Sequence, residues 1–305
     1  MDVDPGIDDA LALILALRSP EVRLALVTTV AGNGPLEMTT RNALRVLDYL
    51  GATGIPVAAG AATPLKRSFH GALGYHGPDA LGGLELAEGR LRKESRGAEE
   101  LLFDFVASAP GQHIIVATGP LTNIARAFQI HEDMPSMLKE LIIMGGAFRL
   151  TRFGTGNQTP CAEFNIWQDP DAAYVVFHSG VPFTIVGLDV TNDPSSALDG
   201  DDLARLRRVS TREATLAANL LEFALRGHSN CAMHDPLALA VALDRSLFEF
   251  VAGDVDVATR DDEQRGRTWL HPLETSEAGH KVTRVAVAVD GPRFKELFLS
   301  RMLES

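Results

Sequence analysis

Four aspartates, Asp2, Asp4, Asp8 and Asp9, fall within the first nine residues, directly before the aliphatic run ALALILAL. Carboxylates a few ångströms apart repel by about 1 kcal/mol in water and by several times that beside a low-dielectric core. A shared proton or a bound cation must offset that repulsion. Pro5-Gly6 reads as a turn between a strand ending near Asp4 and a helix whose first turn holds Asp8 and Asp9. First-turn acids face the positive end of the helix dipole, a gain of about 0.3–1 kcal/mol each, but that simpler reading leaves Asp4 unexplained. Asp4 and Asp9 can converge on one point, while Asp8 is rotated by about 100° along the helix. The expectation is two ligands and one substrate contact, and hard carboxylate oxygens suit Ca²⁺ or Mg²⁺.

Three further constellations carry polar chemistry. NQTPCAEFNIWQDPDAA places Asn157, Glu163 and Asn165 around an apolar patch; such side chains can serve local backbone or recognise a sugar's hydroxyls. In AMHDPLALAVAL, His234 and Asp235 open an apolar helix, where Asp235 is either an N-cap or a metal ligand beside an imidazole acid. His76 sits among glycines in YHGPDALGG, as a solvated bystander or as a group on a loop that closes over a ligand.

These residues need a scaffold, and the remaining pattern supplies one. Short β-rich runs (LALVTTVAGN, IPVAAG, HIIVATG, ELIIMGG, PFTIVGLDV, VTRVAVAVD) alternate with helical stretches such as PLEMTTRNALRVLDYLG and DPDAAYVVFHSG. The alternation predicts an α/β fold, a single domain over 1–305, with a mostly parallel, Rossmann-like central sheet flanked by helices. Its active site is expected at the C-terminal ends of the strands. Segments 68–89 and 148–160 read as long loops over that site, and the charged run RDDEQRGR at 260–267 as a solvated hairpin or loop.

Composition narrows the function classes. With 46% hydrophobic residues among 305, the chain can bury a large core. A net charge of −12 disfavours nucleic acid or an anionic membrane as partner. The two cysteines, Cys161 and Cys231, form no CxxC spacing, which argues against a disulfide framework or thiolate zinc site and makes the cytoplasm the default compartment. No cationic segment precedes the apolar stretch from Ala10 to Leu17, itself too short for a membrane span of roughly 20 residues.

Taken together, DVDPGIDDALA, AGN, YHGPDALGG, ATGPLTNIA, MGG, GN…TPCAEFNIWQDPDAA and MHDPLA, in this order from residue 2 to about 245, resemble the inosine-uridine-preferring nucleoside hydrolase family. The resemblance implies an N-ribohydrolase holding Ca²⁺ through Asp4, Asp9, Asp235 and the main-chain carbonyl of Thr118. It implies that Asp4 takes a proton from the water attacking the anomeric carbon, and that Asp8, Asn33, Met144, Asn157, Glu163 and Asn165 hold the ribose. His76 and His234 would approach the base. His234 matches the histidine of pyrimidine-preferring and broad-specificity members, where purine-specific members carry tryptophan, so uridine, cytidine or inosine is the expected substrate. A homodimer or homotetramer is the accompanying expectation.

The chain departs from the family pattern in several places. It opens at the aspartates without the usual preceding apolar strand, so a shortened first strand is expected; Ala80 stands where the family usually has glycine; and the loop after MGG looks extended. Glu222, Arg226 and His228 occupy positions where relatives often carry aromatic or amide residues. Two other functions compete: a catalytically silent, calcium-stabilised nucleoside-binding protein, and a Mg²⁺-dependent phosphatase of the haloacid-dehalogenase-like kind. Pro5-Gly6 breaks the DxDx[TV] pattern of the phosphatase, and intact Asp4 and His234 favour an enzyme over a binder.

Overall fold

The structure, a computed structural model, describes residues 1–273 and 283–304. Its strands are β1 (Asp2–Val3), β2 (Val27–Thr29), β3 (Val57–Ala59), β4 (Ile114–Ala117), β5 (Glu140–Met144), β6 (Phe183–Val186), β7 (Leu198–Asp199), β8 (Asn230–Cys231), β9 (Phe248–Val257), β10 (Thr268–Pro272) and β11 (Arg284–Val289). One nine-stranded sheet runs in the order β10-β9-β11-β6-β5-β4-β1-β2-β3, and β7 and β8 form a separate antiparallel pair. From β6 to β3 every pairing is parallel. The order 3-2-1-4-5-6 is that of a Rossmann-type doubly wound sheet, as the strand–helix alternation predicts. At the far edge β9 runs antiparallel to both β11 and β10.

Alternation along the strands divides the core. In β4 and β5, Val116, Ile142 and Met144 point into one apolar layer and Ile115, Ala117, Leu141 and Ile143 into the other. The first layer packs the helices Ile7–Arg18, Arg212–Ala224, His234–Leu243 and Gly291–Leu303; the second packs Ala98–Ser108, Thr122–Ile130 and Pro170–Phe177. The helix Ile7–Arg18 is buried almost all round, from Asp9 to Ala16, which is why its sequence is aliphatic rather than amphipathic. Each of Leu11, Leu13, Ile14 and Leu15 is wholly inaccessible, a contribution of about 1.5–3 kcal/mol apiece.

The first strand is two residues long, yet it lies in the middle of the sheet, hydrogen-bonded to β2 and β4. Ala80 occupies a positive φ of 64°, the conformation that suits glycine, so the backbone there is locally strained. The run 260–267 joins β9 to β10 as a hairpin, as expected, but it is not simply solvated: Arg265 is buried against the segment carrying Trp167. Among the described residues no helix is long and apolar enough to cross a membrane.

Candidate active site

Strand order reverses between β1 and β4, and ligands in such sheets bind beyond the carboxyl ends of the strands flanking that point. Asp4 directly follows β1 and Thr118 directly follows β4. The glycine of the AGN turn lets main chain approach the carboxylate closely, since a Cβ on Gly32 would lie 2.0 Å from Asp4 Oδ2. The main-chain N–H of Asn33 then donates to Asp4 Oδ2 at 2.7 Å, and the Asn33 side chain donates to the Asp4 carbonyl and to Asp9 Oδ2.

Asp9 is both a helix-cap residue and a site acid. Its carboxylate accepts the main-chain N–H groups of Asp4 (3.2 Å) and Gly6 (3.0 Å), and the Thr118 hydroxyl at 2.7 Å. Carboxylate oxygens of Asp8, Asp9 and Asp235 lie within 4.8 Å of one another. Asp8, expected from its helical position to be a substrate contact, is thus one of the three close-set acids, whereas Asp4, expected to converge with Asp9, is not among them. Asp235 is the second residue of the helix His234–Leu243, whose N-cap is Met233, so Asp235 is not the N-cap.

The charges of this cluster are poorly compensated by protein. Burial, followed by the charge of Asp9, holds the Asp4 carboxyl well above its usual range; burial and then Asp8, Asp9 and Asp4 do the same to Asp235. Asp9 is raised by burial and by Asp8. Among the described residues the only basic side chain within 4.0 Å of these acids is His76, with Nδ1 3.9 Å from Asp8 Oδ1. Asp4 Oδ1 and Asp8 Oδ1 are buried without any hydrogen-bond partner, a costly state that a cation relieves. The donor set is all oxygen, and it fits a hard dication.

Ten of the twelve residues singled out from the sequence line one cavity of about 260 Å³: Asp8, Asn33, His76, Thr118, Met144, Asn157, Glu163, Asn165, His234 and Asp235. Asp4 and Asp9 lie buried beneath it, joined to its lining through Asn33 and Thr118. Glu163 caps the short helix Phe164–Gln168, accepting main-chain N–H groups from Asn165 (2.8 Å), Ile166 (3.0 Å) and Gly146 (3.1 Å). Burial raises its pKa, and these donors work against that rise. Asn157 accepts the N–H of Phe164, and Asn165 donates to the carbonyls of Thr118 (2.7 Å) and Met144 (3.3 Å). Local backbone service and a place in the cavity wall are therefore combined in the same side chains.

His76 is no solvated bystander. It is buried at the end of the short helix Leu73–His76, where its Nδ1 accepts the N–H of Ile7 at 3.3 Å. The Nδ1 of His234 lies 2.8 Å from the hydroxyl of buried Thr191, which leaves Nε2 as the nitrogen free for a ligand. Burial lowers the pKa of His234 and the charge of Asp8 opposes the shift. Thr191 escaped the sequence reading because it follows the strand-like GLDV without a motif of its own. Tyr75, Gln158, Phe164 and Asn192 also line the cavity and were equally unmarked. An adjoining cavity of about 170 Å³ shares Asp8, Tyr75, His76 and His234 and adds Phe223, Arg226 and His228. Glu222 is outside it, paired with Arg207.

Comparison with known proteins agrees with this geometry. The sequence pattern described as inosine-uridine preferring nucleoside hydrolase matches residues 1–296. A pyrimidine-specific ribonucleoside hydrolase, RihA, of Escherichia coli O81 (strain ED1a) is 38% identical over 309 aligned positions, covering 99% of this chain and 97% of that relative. Among solved structures, the plant nucleoside hydrolase PpNRh1 superposes with a TM-score of 0.92 at 32% identity, covering 100% of this chain and 98% of the other. The purine-preferring ribonucleoside hydrolase from Gardnerella vaginalis gives 0.91 at 33% identity, covering 99% and 96%. A doubly wound sheet with buried acids at its switch point, matched over nearly its whole length by such relatives, makes the chain a member of the inosine-uridine preferring nucleoside hydrolase family, a ribonucleoside N-ribohydrolase.

Proposed function

We propose that this ribonucleoside hydrolase is calcium-dependent and cleaves the N-glycosidic bond of uridine, cytidine and inosine to free base and ribose. The observation that carries the metal assignment is the pair of unpartnered, buried oxygens Asp4 Oδ1 and Asp8 Oδ1 within an acid cluster lacking any Lys or Arg partner among the described residues. Asp4, Asp9, Asp235 and the Thr118 carbonyl would hold the ion, and carboxylate oxygens of Asp9 and Asp235 lie within 4.8 Å of each other and of Asp8. Once bound, a dication offsets the acids' repulsion and lowers the pKa of water. Several carboxylates and a carbonyl suit the larger, less geometrically demanding Ca²⁺ better than Mg²⁺.

Asp4 is the proton acceptor for the attacking water in this reading: its Oδ1 is buried and has no hydrogen-bond partner in the protein, which leaves that oxygen to take a proton. Asp8, Asn33, Met144, Asn157, Glu163 and Asn165 form the ribose subsite, and their acids stabilise the positive charge that develops on the sugar. His234 presents Nε2 to the base while Thr191 holds Nδ1; His76 closes the other side. The setting proposed is cytoplasmic nucleoside salvage by a homodimer or homotetramer.

Free ribose measured from a panel of uridine, cytidine, inosine and adenosine tests the substrate assignment, and preference for adenosine would overturn it. His234→Ala tests the acid. Its loss should reach about 10²–10⁴-fold on uridine and be far smaller on a nitrophenyl riboside, whose leaving group departs as an anion. Equal losses on both substrates would remove His234 from the acid role.

A further inference from the structure

The run RDDEQRGR at 260–267 supplies no residue to the cavity, yet Arg265 and Gly266 dock on the C-terminal end of Phe164–Gln168, the helix whose first residues line it. Arg265 is only 8% exposed. Its Nε donates to the carbonyl of Trp167 at 3.0 Å and its Nη2 to that of Gln168 at 3.4 Å. The guanidinium lies 4.0 Å from the centroid of the Trp167 ring, and Nη1 is 3.6 Å from Asp261. Gly266, at φ +73°, brings the hairpin so close that a Cβ there would meet Trp167 Cα at 2.6 Å. An antiparallel bridge between Ala162 and Arg267 ties the same hairpin to the residue before Glu163.

These contacts bear on the helix Phe164–Gln168, which is five residues long. A single helical turn is not stable in isolation, and its last carbonyls have no partner within it. Glu163 secures the first end by capping; Arg265 secures the second by taking the two terminal carbonyls. Gln168 is fully buried, so water does not readily replace the guanidinium. Between the two ends sits Asn165, with its amide on the Thr118 and Met144 carbonyls.

We propose that Arg265 is a positioning residue for the sugar subsite, clamping the C-terminal end of Phe164–Gln168 so that Glu163 and Asn165 face the cavity in a fixed geometry. The inference rests on the reading of Glu163 and Asn165 as ribose contacts. A planar fork stacked on an indole is a task that lysine does not perform. Through Arg67, which pairs with both Asp171 (3.3 Å) and Asp261 (2.9 Å), the same hairpin also braces the loop leading toward His76.

The test is steady-state kinetics of the calcium-loaded protein carrying Arg265→Met or Arg265→Lys, on uridine and on a nitrophenyl riboside. Because ribose is common to both substrates, KM should rise about tenfold on each as ribose contacts are lost, and kcat should fall as well, to the extent that Glu163 no longer faces the developing positive charge. A general folding defect would instead lower kcat through the active fraction and leave KM unchanged, and that result overturns the proposal. So does KM within twofold of wild type in either variant. Should Arg265→Met not fold, Arg265→Lys, which keeps charge and bulk, decides alone by the same criteria. Glu163→Gln in parallel separates the two levels: a raised KM there with unchanged Arg265 variants refutes only the clamp. Unchanged KM in Glu163→Gln overturns the ribose reading and the clamp together.

Discussion

Asp4 has one oxygen on the Asn33 N–H and the other, Oδ1, buried and unpartnered, so an amide at this position keeps the shape but loses the basicity and the charge. Asp4→Asn should reduce ribose release by about 10³-fold or more, roughly 4 kcal/mol of transition-state stabilisation, without unfolding the chain; turnover within tenfold of wild type would remove Asp4 as base. The acid cluster was legible in the sequence because repulsion among neighbouring carboxylates demands an explanation, and Asp4 was the residue that helix capping left over. The dual nature of Asp9 and Glu163 was not. Whether a carboxylate caps its own helix, lines a cavity or does both depends on which distant N–H groups arrive, such as Gly146 at Glu163. Thr191 was illegible for the same reason, since its partner His234 is 43 positions away in sequence.

At the scale of elements, tight turns after the strands decide how near the main chain comes to Asp4. A Cβ on Gly32 would lie 2.0 Å from Asp4 Oδ2 and 2.7 Å from Pro120, whereas one on Gly54 would meet nothing within 4 Å. Gly32→Ala should therefore destabilise by about 1–3 kcal/mol through overpacking and displace the Asp4 carboxylate, while Gly54→Ala stays within about 0.5 kcal/mol of wild type. Urea unfolding of the two variants checks this, and equal stability would contradict the assigned role of the AGN turn. Six of the sheet strands stand out in the sequence as β-branched runs ending in glycine turns. The antiparallel strands β9 and β10 do not: FEFVAGDVDV carries charges and a glycine, and an antiparallel strand with one wet face shows no continuous apolar run. The run 260–267 misled by composition alone, because Arg265 is buried by stacking and carbonyl bonding that charge counting does not reveal.

For the molecule as a whole, the site's charge is coupled to folding. Asp4, Asp9 and Asp235 have raised pKa values in the fold, through burial and mutual repulsion, against about 3.9 for aspartate in an unfolded chain. Through these three acids the folded, metal-free chain binds more protons than the unfolded one, so their contribution to stability falls as pH rises above about 4 toward the folded pKa values. Buried His234 and the Met1 amino group, both with lowered pKa values, act in the opposite sense. Metal-stripped protein should accordingly melt at a higher temperature at pH 5.5 than at pH 8, and bound cation should abolish that gain; a stripped protein whose melting temperature falls on acidification would contradict the account. A cation that binds only the folded state also adds stability by linkage, so removal should cost activity and thermal stability together. The most direct test is ribose release from uridine by protein stripped of metal, verified by elemental analysis, before and after addition of Ca²⁺. The account predicts that turnover is lost on stripping and recovered with Ca²⁺, whereas full hydrolysis by the metal-free protein would contradict it.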